Sequence, residues 1–232
     1  MKTVGLLGGM SWESTANYYK AINEGVNKAM GGLHSAKIVM HSVDFAEIAE
    51  LQHEDKWQET ADILSQAAQG LEKAGADSLL ICTNTMHKVA DEIAEKVSIP
   101  LLHIADATAE VLQQQGVTKV GLLGTRFTME HDFYKQRLID KFGIDVVVPN
   151  GVQRQLVHDI IYNELVKGNV LPSSRQDYLE VICDLCENGA QAVILGCTEI
   201  AMLINQQHTA VPLYDTTQIH SDAAVKFALS DV

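Results

Sequence analysis

Two stretches of this sequence put a thiol and small hydrogen-bonding side chains directly behind an apolar run. They are Cys82-Thr83-Asn84-Thr85, after "SLLI", and Cys197-Thr198-Glu199, after "AVILG". A lone cysteine in such a place reads as a small core residue. As a thiolate it is also a base and a nucleophile, and a helix beginning just behind it would lower its pKa from the usual value of about 8.5. The neighbouring hydroxyls and amide (Thr83, Asn84, Thr85, Thr198) can bind a carboxylate together with free backbone N–H groups. Two such thiols acting from opposite sides can remove a proton from one face of a carbon and return one to the other. That inverts the centre without a cofactor. Nucleophilic Cys–His catalysis is the competing use, with His87 near Cys82, but nothing comparable follows Cys197.

Other motifs carry less chemistry. "GLLGGMS" at Gly5 is neither a dinucleotide fingerprint nor a Walker sequence, although Gly8-Gly9 before a helix lets the backbone approach a small anion. Its second copy, "GLLGTRFTM", brings Thr125, Arg126 and Thr128. Arg126 reads equally as a carboxylate ligand and as a surface ion-pair partner. Cys183 and Cys186 form C-x-x-C inside "YLEVICDLCENGA", where they read as part of a helix's buried stripe with Leu179, Ile182 and Leu185. No histidine grouping has metal-ligand spacing. His34, His41, His103 and His220 read as structural or exposed, and "HKVADEI" as a solvated helix start. Gln52, after "VDFAEIAEL", is a candidate for the pocket.

The elements that must hold these residues alternate. Short aliphatic runs are expected as strands at Thr3–Leu7, Lys37–His41, Ser78–Ile81, Leu101–Ile104, Lys119–Leu123, Asp145–Val148, Ala192–Leu195 and Pro212–Tyr214, with helical patterns between them. Helices are expected around Ser11–Ala29, capped by Ser11, and over Gln58–Ala74, with Ile63, Leu64, Ala67, Ala68 and Leu71 on one stripe. The flanks repeat in order. "VGLLGGM" returns as "VGLLGTR", "LEKAGADSLLICT" as "LCENGAQAVILGCT", and "IPLLHIADAT" as "VPLYDTT", at offsets of 116, 114 and 112 residues. An internal duplication is implied, and with it an α/β protein of two similar lobes, each a parallel-rich sheet flanked by helices, related by pseudo-twofold symmetry. Cys82 and Cys197 are then expected in equivalent places at strand carboxyl ends, where ligands of open α/β sheets bind. Facing lobes would bring the two thiols to one cleft.

The chain has 232 residues, 47% of them hydrophobic and 20% charged, an ordinary globular balance. A formal charge of −13 argues against a nucleic-acid or anionic-membrane partner. No apolar run approaches the roughly 20 residues that span a bilayer, and the N-terminus lacks a signal-peptide pattern. Four cysteines are too few for a disulfide scaffold, so reduced thiols and a cytoplasmic location are expected.

The stretches "GLLGGMSWEST", "SVDFAEI", "CTNTMHKVAD", "LHIADAT", "LLGTRFTME" and "GCTEI" together resemble the aspartate/glutamate racemase family, in particular its broad-specificity bacterial amino-acid racemase branch. The resemblance runs essentially from end to end. It implies a pyridoxal-independent racemase that uses no cofactor or metal, with an amino-acid substrate and often a homodimeric assembly. By motif position Cys82 and Cys197 would be the acid/base pair. Asn84, Thr85 and Thr198 would hold the substrate's α-carboxylate and amine region, and Met10, Gln52 and Thr125 would line the pocket. It also implies that the C-terminal segment returns to the first lobe, giving lobes of 1–98 plus 208–232 and of 99–207; the repeats alone divide the chain near residue 115. Strict aspartate racemases carry an arginine after the second strand, whereas "HSVDFAEIAELQ" has none, leaving Lys167 or Arg126 as substitutes. A hydantoin racemase, a maleate isomerase and a non-catalytic amino-acid sensor remain alternatives, and an arylmalonate decarboxylase type needs only one of the two cysteines.

Overall fold

The computed structural model describes all 232 residues. The chain forms two units, one of Met1–Ile104 with Thr217–Val232 and one of Ala105–Thr216. These boundaries lie further along the chain than residues 98 and 207.

The first unit holds a parallel sheet of β1 (Thr3–Gly8), β2 (Lys37–Ser42) and β3 (Ser78–Ile81) in the order β2-β1-β3. Around it lie α1 (Trp12–Met30), α2 (Phe45–His53), α3 (Trp57–Lys73) and the short α4 (Ala90–Ala94). Because strand side chains alternate, β3 serves two cores. Leu79 and Ile81 pack with Leu64, Ala68 and Leu71 of α3. Leu80 and Cys82 pack on the other face with Val4, Leu6, Tyr18 and Ile22, and with Ala224 and Ala228 from the chain's last helix. Ser11 caps α1 by accepting from the Ser14 N–H, and Gly31, at φ 73, ends it.

The second unit begins within α5 (Ile104–Gln114) and holds β4 (Lys119–Gly124), β5 (Asp145–Val147), β6 (Ala192–Gly196) and β7 (Leu213–Asp215), parallel and in the order β5-β4-β6-β7. Its helices are α6 (Arg126–Glu130), α7 (Asp132–Phe142), α8 (Gly151–Asn163), α9 (Pro172–Glu187) and α10 (Ile200–Leu203). α11 (Thr216–Ala228) then carries the chain back into the first unit. Leu123, Val193 and Leu195 form the core with Val157, Ile161, Tyr178 and Ile182 of α8 and α9. The central strands β1 and β4 sit alike in the two sheets, as the repeated "VGLLG" requires.

Three expectations are corrected here. Leu101–Ile104 is not a strand: Leu101 makes one isolated bridge to Leu79, and helix begins at Ile104. The cause is local. The Leu102 carbonyl, next acceptor in that ladder, receives His220 Nε2 at 2.6 Å, and the Ile104 N–H donates to His87 Nε2 at 3.2 Å. The helices expected behind Cys82 and Cys197 are only a 3₁₀ turn (Thr85–Val89) before α4, and the four-residue α10. Finally, α9 buries Tyr178, Val181, Ile182 and Leu185, while Cys183 is exposed and Cys186 half-buried. No helix is long and apolar enough to cross a membrane.

Candidate active site

β3 and β6 occupy the same place beside the central strand of their sheets, and each delivers a Cys-Thr pair at its carboxyl end. The two cysteines are nevertheless not equivalent, which corrects the expectation from the repeats. In the first sheet Leu7 pairs with Ile81, so the next residue is Cys82, whose N–H donates to the Leu7 carbonyl at 2.9 Å. In the second, Leu123 pairs with Leu195 and Gly124 with Gly196, so Cys197 stands one residue further out. Register matches Cys82 to Gly196 and Thr83 to Cys197.

Burial follows that offset. Cys82 is 0% exposed in the core against α1 and α11, and burial alone pushes its thiol well above its ordinary range. The Ser14 hydroxyl donates to its carbonyl at 3.1 Å. Thr83 beside it is only partly buried. Asn84, Thr85 and His87 are buried in the turn that follows. His87 Nδ1 bonds the Thr83 carbonyl at 2.8 Å and Nε2 receives the Ile104 N–H. A carbonyl only accepts and an N–H only donates, so His87 is held neutral with its proton on Nδ1. It staples the backbone behind Thr83, contrary to the expected solvated helix start, and both its nitrogens are used there.

Cys197 is half-buried, with its sulfur packed against the core of the second unit. Its thiol donates to Glu199 Oε2 at 2.8 Å, and the Thr198 hydroxyl donates to the same oxygen at 2.7 Å. Burial first, and then the Glu199 charge and hydrogen bond, push this thiol far up as well. A lowered thiol pKa was expected from helix N-termini, but the short helical turns behind the cysteines cannot offset burial and a neighbouring carboxylate. Glu199 closes the Cys197-Thr198-Glu199 stretch that the sequence singles out, but the sequence assigns it no role. The motif "GCTEI" contained it, but nothing in the pattern said that the side chain folds back on its own strand end.

The remaining candidates lie at turns and helices of their own units. Met10 and Gln52 are buried in the first unit, Met10 after the Gly8-Gly9 turn and Gln52 on α2. In the second, Thr125 caps α6, its hydroxyl accepting from the Thr128 N–H at 3.4 Å. Arg126 makes the surface contact, 4.0 Å from Glu130. No group of three or more His, Cys, Asp or Glu side chains is arranged to hold a metal ion.

Each sheet thus ends the strand beside its central one in a Cys-Thr pair, followed in one case by amide and hydroxyl side chains and in the other by a carboxylate that folds back on the thiol. The chain belongs to the Asp/Glu/hydantoin racemase family, whose model matches residues 7–224. It is 22% identical to the broad specificity amino-acid racemase RacX of Bacillus subtilis, across 98% of both chains. Among solved structures it resembles a Yersinia pestis protein described as a candidate Asp/Glu racemase, with 54% identity, coverage of 99% of this chain and 100% of that one, and a TM-score of 0.95. It also resembles an aspartate racemase homologue from Pyrococcus horikoshii, with 34% identity, coverage of 98% and 99%, and a TM-score of 0.87.

Proposed function

We propose that the protein is a cofactor-independent racemase of free amino acids, acting on aspartate, glutamate or a broader set. A proton leaves Cα on one face, and a carbanion forms next to the α-carboxylate. A proton then returns on the other face, so each turnover exchanges the protonation states of the two flanking groups. Cys197 supplies one side, and the Cys82–Thr83 strand end supplies the other. The observation that carries this reading is the pair of Cys-Thr strand ends at matching places in the two sheets. Family membership and the likeness to RacX support amino acids as the substrate class. Asn84, Thr85 and Thr198 are the proposed carboxylate and amine ligands, with Met10, Gln52 and Thr125 as pocket wall.

The motif reading assigns the first side to the Cys82 thiol. The register and the complete burial of that thiol favour Thr83, with Cys82 packed behind it. A threonine hydroxyl is a far weaker base than a thiolate. Exchange of the α-proton facing Cys197 is therefore expected to outpace exchange of the other.

Each enantiomer of aspartate, glutamate and several neutral amino acids should be incubated in D2O with the parent and with Cys82→Ala, Thr83→Ala and Cys197→Ala. Inversion would be read by chiral chromatography and deuterium uptake by mass spectrometry. Cys197→Ala is expected to lose inversion by 100-fold or more, on the order of what a positioned acid or base contributes. Thr83→Ala should lose inversion while retaining fast exchange of one enantiomer. Loss with Cys82→Ala and not with Thr83→Ala would return the role to the cysteine pair. Inertness toward every amino acid, with turnover of a hydantoin or maleate, would overturn the substrate class.

A further inference from the structure

The register gives the two strand ends different second partners, because Glu199 stands where the first unit has Thr85. Its carboxylate turns back two residues, and one oxygen, Oε2, accepts from both the Cys197 thiol and the Thr198 hydroxyl. The Cys82 thiol makes only a weak contact to backbone, from Sγ to the Leu80 carbonyl at 4.0 Å. We propose that Glu199 is the positioning residue of Cys197 and shares one proton with it. It holds the thiol by an S–H···O bond and takes the proton when Cys197 must act as a base.

The step balances. The S–H bond breaks, an O–H bond forms on Glu199 Oε2, and the charge of the pair stays at minus one. The thiolate then accepts the substrate's α-proton. Without Glu199 the thiol has to lose its proton to solvent, which ties its reactivity to pH. With Glu199 the reactive thiolate–carboxylic acid form stands in a fixed ratio to the resting thiol–carboxylate form, whatever the pH, as long as the pair carries one proton. The Thr198 hydroxyl keeps the accepting oxygen aimed at sulfur. Other titratable groups facing this pair within its unit are Tyr162 of α8 and Tyr178 of α9, and Tyr178 in turn faces Glu164 beyond α8. Burial pushes Tyr162 up to about 12 and Tyr178 well above its ordinary value, and the Ser174 hydroxyl donates to Glu164. Neither tyrosine titrates in the neutral range.

This inference rests on Cys197 being one of the proton-transferring groups, so the test has one arm that needs no substrate. Iodoacetamide is used to alkylate the parent, Glu199→Gln and Glu199→Asp between pH 6 and 9, and the rate at Cys197 is read by peptide mass spectrometry to separate it from the exposed Cys183. In the parent the rate is expected to be nearly flat across this range. In Glu199→Gln it should rise about tenfold per pH unit, as for an ordinary thiol, and Glu199→Asp should restore the flat profile at a lower rate. The second arm follows deuterium uptake at Cα over the same pH range and should show the same contrast. A parent profile that climbs about tenfold per unit overturns the shared proton even if Glu199→Gln fails to fold, and so does an identical profile in parent and Glu199→Gln. A flat parent profile that is lost in Glu199→Gln, from a protein inert toward amino acids, would keep the Cys197–Glu199 pair and overturn the racemase reading instead.

Discussion

His87 and its backbone partners show how a single side chain here can look catalytic and act structurally. It lies five residues after Cys82, the spacing that raised the Cys–His alternative, yet both its nitrogens are bonded to backbone, at Thr83 and at Ile104. His103 stacks edge-on to it at a ring distance of 4.5 Å. Replacing His87 with Phe removes the acceptor of the buried Ile104 N–H bond and the donor to the part-buried Thr83 carbonyl, and losing a buried group's partner costs about 1–3 kcal/mol. Urea unfolding of His87→Phe should therefore show a loss of roughly 2 kcal/mol or more. The alkylation profile of Cys197 in the other unit should not change. A variant as stable as the parent would contradict the staple role. The same scale shows where residue type and strand register part. Laid without a gap at the 114-residue offset, "LEKAGADSLLICT" already sets Thr83 against Cys197; matching the two cysteines required a slip of one position. Residue identity was plain in the sequence, but the strand face that each thiol occupies depends on register.

Elements were legible where one short signal determined them. Ser11 and Gly31 bound α1, and Leu64, Ala67, Ala68 and Leu71 form the buried stripe of α3, because caps and apolar spacing act within a few residues. The fate of Leu101–Ile104 was not legible. Its aliphatic residues suit a strand, but His87 and His220, distant in sequence, take the backbone groups that would have extended the ladder. The Gly8-Gly9 turn joins both kinds of information. Gly9 has φ +97, its N–H donates to Thr15 Oγ1 at 2.8 Å, and a Cβ there would stand 2.2 Å from the Val43 carbonyl oxygen. Gly31 also has positive φ, +73, but a Cβ there would meet nothing within 4 Å. Gly31→Ala is thus expected to cost roughly 1–3 kcal/mol from backbone conformation alone, because φ 73 with ψ −175 is a region that essentially only glycine enters. Gly9→Ala adds a collision with backbone and should cost roughly 3 kcal/mol or more. Thermal or urea unfolding of the two variants checks this, and equal losses would show that the turn can open to accommodate the methyl.

At the scale of the molecule, the chain leaves its first unit at Ile104 and returns at Thr217, so α11 completes a core begun by β1 and β3. His220 fastens that return. Its Nε2 donates to the Leu102 carbonyl, and its Nδ1 accepts from the Tyr18 hydroxyl at 2.9 Å, which requires the neutral ring. Burial lowers its pKa from 6.5 to about 4. The unfolded chain therefore binds a proton near pH 6.5 that the folded unit refuses until about pH 4, so stability present above 6.5 is lost as pH falls. A shift of this size corresponds to about 3 kcal/mol. Cys82, in the same core, bounds the other side. Its thiol is raised by burial, so its contribution holds below the ordinary thiol pKa of about 8.5 and is lost as pH rises beyond it. The first unit should accordingly be most stable between about pH 6.5 and 8.5. Hydrogen exchange at β1 and β3, measured at pH 7.5 and 4.5, should show the acid-side loss in the parent. His220→Gln can keep both hydrogen bonds without titrating, so it should lose much less on acidification. If parent and His220→Gln lose protection equally between those two pH values, His220 does not govern the acid limit of the fold.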